Sequence, residues 1–195
     1  MNWNVPNILT VLRIALIPVF VGIFYLPKAA FDSFGLPSHW VNTLAASIFA
    51  VAALTDWLDG WWARKFNQSS NFGAFLDPVA DKLMVTAALI VLVEFERIGA
   101  VIALIIIGRE IAISALREWM AGIGQRSSVA VAQIGKFKTA AQMLAIFLLL
   151  YYDNIGGFNT KLVGQVLIII AAALTLISMF YYLKAAWPTI QKSIN

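Results

Sequence analysis

The 195-residue chain contains no cysteine. Disulfides, thiolate metal sites and thiol nucleophiles are therefore excluded. It has one histidine, His39, with no second imidazole to partner it, and His39 reads as an interfacial residue. Charge is scarce at 12%, against about 25% in an ordinary soluble domain. Hydrophobic residues make up 61%, and mean hydropathy is +0.82. So short a chain cannot hide that much apolar surface in one core. The same surplus excludes a disordered chain. Apolar runs cover nearly the whole length, which excludes a lone anchor on a soluble domain. The chain therefore reads as an integral membrane protein. The first seven residues carry no Lys or Arg, so a cleaved signal peptide is not expected. The runs lack the period-two alternation of a membrane barrel. With no internal repeat and only short loops, residues 1–195 read as a single transmembrane domain.

What is present is a series of apolar runs near the length of about 20 residues that crosses a bilayer as helix. Six spans are expected: Ile8–Leu26, Trp40–Trp62, Val79–Val93, Ile98–Met120, Thr139–Tyr152 and Leu162–Lys184. The third and fifth are short, and extend toward the headgroups through Pro78–Lys82 and Gly135–Lys138. Six spans put both termini on one side. Eleven of the fourteen basic residues fall on that side; Lys28, Arg97 and Lys161 fall opposite. Positive charge stays cytoplasmic, so both termini are expected there. The start of the first span allows two readings. Trp3 and Pro6 open either a short interfacial helix or simply the span itself.

Four of the ten acids lie between Asp56 and Asp81, on the terminal side. Asp56 and Asp59 are three apart and share a helix face; Asp77 and Asp81 are four apart and do the same. Pro78 is placed to open the third span, with Asp77 as its N-cap. Two helix ends joined by a tight loop bring the four carboxylates together at the membrane edge. Like charges so close need a cation among them. All-oxygen ligands select Mg²⁺, Mn²⁺ or Ca²⁺, and four carboxylates suit two ions around a diphosphate. Gly60 leaves room for a ligand against the backbone, and Arg64, four residues on, overhangs the same face. A solvated cytoplasmic rim is the plainer reading of such acids. Four of them at two helical spacings with small residues between argue against it. An ion carrier or channel would place its site nearer the midplane.

The pattern Asp56-x-x-Asp59-Gly60-x-x-Ala63-Arg64, eight residues, Gly73-x-x-x-Asp77-x-x-x-Asp81 resembles the signature of the CDP-alcohol phosphotransferases, with all eight fixed positions present. Pro6-Asn7 with Thr10 and Arg13, the run Phe72–Lys82, Arg109-Glu110, Ser114–Met120, Arg126–Val131 and Gly135–Thr139 extend the likeness to bacterial members over most of the chain. The resemblance implies an all-α, six-helix membrane enzyme of the bacterial inner membrane, its active site facing the cytoplasm. It implies transfer of the phosphatidyl group of CDP-diacylglycerol to sn-glycerol 3-phosphate, with release of CMP. It makes Asp56, Asp59, Asp77 and Asp81 the ligands of two Mg²⁺ or Mn²⁺ ions, and Asp81 also the general base. It places Asn7, Thr10, Gly60, Arg64 and Ser70 near CDP-diacylglycerol, and it implies a homodimer.

A phosphorylated acceptor calls for cations near that site. Arg109 follows Ile105-Ile106-Ile107-Gly108, where an unpaired Arg is costly. Arg117, Lys136 and Lys138 are the other candidates for glycerol 3-phosphate. The plainer alternatives are a salt bridge from Arg109 to Glu118 or another acid, and ordinary positive-inside topology for the lysines and Arg126. Trp57, Trp61, Trp62 and Trp119 read as an interfacial belt rather than a cytosine platform. Nucleic acid is not an expected partner, because the basic residues are spread along membrane segments. A different acceptor subclass, a membrane prenyltransferase and a Mg²⁺ carrier are the competing functions.

Overall fold

A computed structural model describes residues 5–27, 33, 37, 40–66, 71–123 and 132–194. Within the helices, the side chains of residues 57, 59–64, 66, 71–72, 74–75 and 132–136 lie outside the description, as do those of residues 5–6 and 192–194. Among the described residues there are six long helices and no strand. They are α1 (Val5–Tyr25), α2 (Trp40–Phe66), α3 (Asn71–Glu94), α4 (Ala100–Gly122), α5 (Ala132–Tyr151) and α6 (Thr160–Ile194). His39, Ser70 and Arg126 lie outside the described residues.

Among the described residues, two helices are long and apolar enough to cross a membrane: α1 over Asn7–Tyr25 and α6 over Thr160–Gln191. Trp40–Asp56 and Phe137–Tyr151 are shorter apolar stretches. α3 and α4 interrupt their apolar runs with charge, Asp77, Asp81 and Lys82 on one and Arg109, Glu110 and Arg117 on the other.

Two boundaries differ from expectation, and the start of the first span follows the plainer of its two readings. α1 runs unbroken from Val5, so no separate interfacial helix precedes it among the described residues, and Pro6 sits in its first turn. α3 begins at Asn71, so Pro78 lies inside it and Asp77 is not an N-cap. Proline lacks only its own N–H, so the helix forfeits the bond to the Ala74 carbonyl and continues on the packing of its apolar face. The last helix extends beyond Lys184 to Ile194, carrying Pro188 within it.

α1 packs on α2 and α3, α5 packs along α6, and α4 and α2 close the bundle against α6 and α5. The core is filled by Phe20, Phe49, Leu89, Leu92, Ile146 and Leu149. Buried alanines, such as Ala45, Ala46, Ala88 and Ala145, let the helix backbones approach. Small residues at helix interfaces are how bundles gain contact when lipid is as apolar as the core. Gly164 of α6 is the tightest such point: a Cβ there would stand 2.8 Å from Leu149 Cγ on α5.

The bundle's two ends are built differently. At one end Arg97, in the turn between α3 and α4, is buried and clasps two helices, α2 and α5. Its Nη1 donates to the carbonyls of Leu149 and Leu150, both at 2.8 Å, and its Nη2 to Asn42 Oδ1 at 2.6 Å. Its guanidinium lies 4.4 Å from the Tyr152 ring centre. Arg97 thereby satisfies carbonyls left over where α5 ends. The turns on either side use the left-handed region, at Glu96 (φ 55°) and Tyr152 (φ 60°). α6 then starts at Asn159, whose Oδ1 accepts the Leu162 N–H at 3.0 Å as an N-cap. The aspartates lie at the other end.

Candidate active site

The first acidic pair sits near the C-terminal end of α2 and the second in the first half of α3. Helical geometry keeps Asp77 and Asp81 on one face, because α3 continues through Pro78. α1 reaches both helices. Arg13 Nη1 donates to Asp56 Oδ1 at 2.6 Å, and Thr10 Oγ1 donates to Asp77 Oδ1 at 2.5 Å. Arg13 is 2% exposed while the Asp56 side chain is 43% exposed, so a buried cation presents a carboxylate toward open space. Each contact uses one carboxylate oxygen and leaves the second for another partner. Thr10 and Arg13 are one turn apart, so a single face of α1 fixes an aspartate on each neighbouring helix.

Asp81 sits in the field of Asp56, Arg13, Glu110 and Lys82. Among the described residues, no three acidic side chains converge as a metal-holding group. The Asp59, Gly60 and Arg64 side positions lie outside the description, although all three belong to α2. Asn7 is buried on α1, one turn before Thr10. The residues present fit a hard divalent cation in their chemistry: carboxylates on two adjacent helices, two of them held by one oxygen only.

A second cluster lies deeper, where α4, α5 and α6 meet. Lys138 donates to Glu110 Oε1, and Arg109 Nη1 reaches the same oxygen at 3.2 Å. Arg109 Nη2 donates to Ser178 Oγ at 3.2 Å. Arg117 Nη2 donates to the Tyr182 hydroxyl. Arg109 and Lys138 are buried, a costly place for charge unless it is paired. Glu110 supplies that pairing, so the acid expected beside Arg109 is its chain neighbour and not Glu118. Lys82 and Lys138 both act on Glu110, and Glu110 acts on Asp81, which joins the basic cluster to the acidic one electrostatically. The structure thus brings Arg109, Arg117 and Lys138 together. The Lys136 side chain lies outside the description. Trp119 is exposed at the end of α4, as an interfacial residue would be.

Arg13, Glu110, Ser178 and Tyr182 were not assigned to the site from the sequence. Arg13 and Glu110 had a signal, as charges within apolar runs that require partners. Ser178 and Tyr182 had none beyond their polarity.

An all-helical bundle that presents two helix-borne aspartate pairs at one end, with a basic cluster beneath them, is the architecture of a lipid-linked phosphotransferase. The chain belongs to the CDP-alcohol phosphatidyltransferase family, whose pattern matches residues 3–177. It is 50% identical over 188 residues to the CDP-diacylglycerol–glycerol-3-phosphate 3-phosphatidyltransferase of Salmonella typhimurium, covering 95% of this chain and 96% of that one. The enzymes of the same name from Shigella flexneri and Escherichia coli K12 are 51% and 50% identical over the same shares.

Proposed function

We propose that the protein transfers the phosphatidyl group of CDP-diacylglycerol to sn-glycerol 3-phosphate, giving phosphatidylglycerophosphate and CMP. The observation that carries this reading is the basic cluster of Arg109, Arg117 and Lys138, gathered on Glu110 and Tyr182. It offers a phosphorylated acceptor a seat beside the carboxylates. Likeness at about half identity over nearly the whole chain to enzymes of that name supports the same acceptor.

In this reading Asp56, Asp59, Asp77 and Asp81 hold two Mg²⁺ or Mn²⁺ ions. Bound there, the ions would neutralise the diphosphate of CDP-diacylglycerol. Thr10 and Arg13 hold Asp77 and Asp56 in place. Asn7, Gly60, Arg64 and Ser70, with Thr10, border the nucleotide and diphosphate. Arg109, Arg117, Lys136 and Lys138 take the acceptor's phosphate. Asp81 accepts the proton of the glycerol 1-hydroxyl as that oxygen bonds to the lipid-bearing phosphorus. The bond from that phosphorus to the bridging oxygen breaks, and CMP leaves with the electron pair. Phosphoryl transfer asks of a protein mainly positioning and charge neutralisation, which these groups supply.

The site must reach lipid and cytoplasm together, so the bundle crosses the bacterial inner membrane six times, with both termini and the aspartates on the cytoplasmic side. The working form is a homodimer.

Purified protein given CDP-diacylglycerol and Mg²⁺ is expected to release CMP with glycerol 3-phosphate, and EDTA is expected to stop it. CMP release with serine, inositol phosphate or phosphatidylglycerol but none with glycerol 3-phosphate overturns the acceptor.

A further inference from the structure

Ser178 and Tyr182 stand one turn apart on α6 and face the basic cluster. The Arg109 guanidinium carbon lies 5.6 Å from the Tyr182 ring centre and that of Arg117 lies 4.8 Å from it, so one ring holds both arginines. The Tyr182 hydroxyl accepts from Arg117. Ser178 donates its own proton to the Thr175 carbonyl at 2.9 Å, so its oxygen is left to accept from Arg109 at 3.2 Å. Arg109 Nε is buried with no hydrogen-bond partner, which leaves a donor to spend.

The chemistry of this grip matters. A carboxylate would hold two arginines as firmly, but it would cancel the charge that a phosphate needs. A hydroxyl oxygen and a ring face hold guanidinium groups without a full negative charge. Arg109, Arg117 and Lys138 share a single paired carboxylate, Glu110, so the cluster keeps the positive charge that a phosphate needs.

We propose that Ser178 and Tyr182 are positioning residues that hold Arg109 and Arg117 for the acceptor's phosphate, so that α6 contributes to acceptor choice. This rests on the acceptor reading given above. A flexible arginine free to sample its rotamers binds a phosphate only after paying the entropy of ordering, and the clamp removes that cost.

The test uses the full chain in phosphatidylcholine nanodiscs, with CMP release followed as each substrate is varied at saturation of the other. Tyr182→Phe keeps the ring and loses the hydroxyl, and is expected to raise KM for glycerol 3-phosphate about fivefold. Tyr182→Leu loses both and is expected to raise it about fiftyfold, so that phenylalanine rescues most of the loss. Ser178→Ala is expected to raise it about threefold. In each variant the change falls on KM for the acceptor rather than on kcat, with KM for CDP-diacylglycerol as the internal reference. An acceptor KM that stays flat in Tyr182→Leu, or both KM values rising together, overturns the proposal. If Tyr182→Leu does not fold, the Phe and Ala variants decide it by the same criterion. Wild-type protein that releases no CMP with glycerol 3-phosphate removes the underlying reading instead.

Discussion

Thr10 holds Asp77 and Arg13 holds Asp56, so losing either side chain loosens an aspartate of the site. Thr10→Val keeps the shape and removes the hydrogen bond to Asp77. A bond to a charged group contributes roughly 1.5–3 kcal/mol, so the Mg²⁺ concentration for half-maximal CMP release is expected to rise about tenfold or more. Asp81→Asn keeps size and removes the base. It is expected to lower kcat by about 10² to 10⁴ while the melting temperature holds, and CMP release at the wild-type rate would place the base elsewhere. The aspartates were legible because a rigid helical spacing writes their relation into neighbouring positions. The resemblance places Thr10 near CDP-diacylglycerol, and in the fold its hydroxyl also grips a carboxylate 67 residues away. No local spacing encodes such a pair. Arg109 was legible as a buried charge in need of an acid, but any of several acids would have satisfied that need.

At the level of the helices, composition and span length carried most of the reading, and the misreadings came at prolines. Pro78 looks like the start of a helix and lies inside one, because tertiary packing outweighs a single lost backbone bond. Close approach leaves a fainter trace. Nothing around Gly164 distinguishes it from Gly22, yet an added Cβ meets Leu149 at 2.8 Å at the first and nothing within 4 Å at the second. Gly164→Ala is therefore expected to destabilise the bundle by about 1–3 kcal/mol, as overpacking does, read as a lower melting temperature in detergent. Gly22→Ala is the matched control and is expected to leave the melting temperature unchanged or raise it, since alanine suits a helix interior better. Equal effects at both positions would mean that the α5–α6 contact is looser than described.

For the molecule as a whole, the missing cysteines become useful. Any thiol introduced is the only one, so its labelling reports one place. α6 has an exposed turn residue before it, Gly157, and an exposed residue near its far end, Gln191. With the proposed orientation, Gly157→Cys is expected to react with an impermeant maleimide on intact spheroplasts. Gln191→Cys is expected to react only after permeabilisation. Labelling of both from one side would overturn the six-pass arrangement. The distribution of basic residues is what argues for this orientation; the pairing of helices across the bundle was not legible in the sequence, because every apolar face resembles every other.

The Arg97 clasp has a consequence for the surroundings the protein tolerates. Its partners are two backbone carbonyls and an amide oxygen, groups that neither gain nor lose a proton in water near neutrality. Burial pulls the Arg97 guanidinium below the ordinary arginine value, and Tyr152 and Asp153 pull it back. A base lowered in this way strains the fold only while it is charged, and the strain lifts only as pH rises through the lowered value. Guanidinium groups in proteins stay charged across the physiological range, so this contribution is constant there. The end of the bundle away from the aspartates is thus fastened by hydrogen bonds to groups that do not titrate, with the Asp153 carboxylate beside them as the one that does. In the proposed orientation that end faces outward, and an acidified medium leaves the hydrogen bonds of the clasp unchanged until it protonates Asp153.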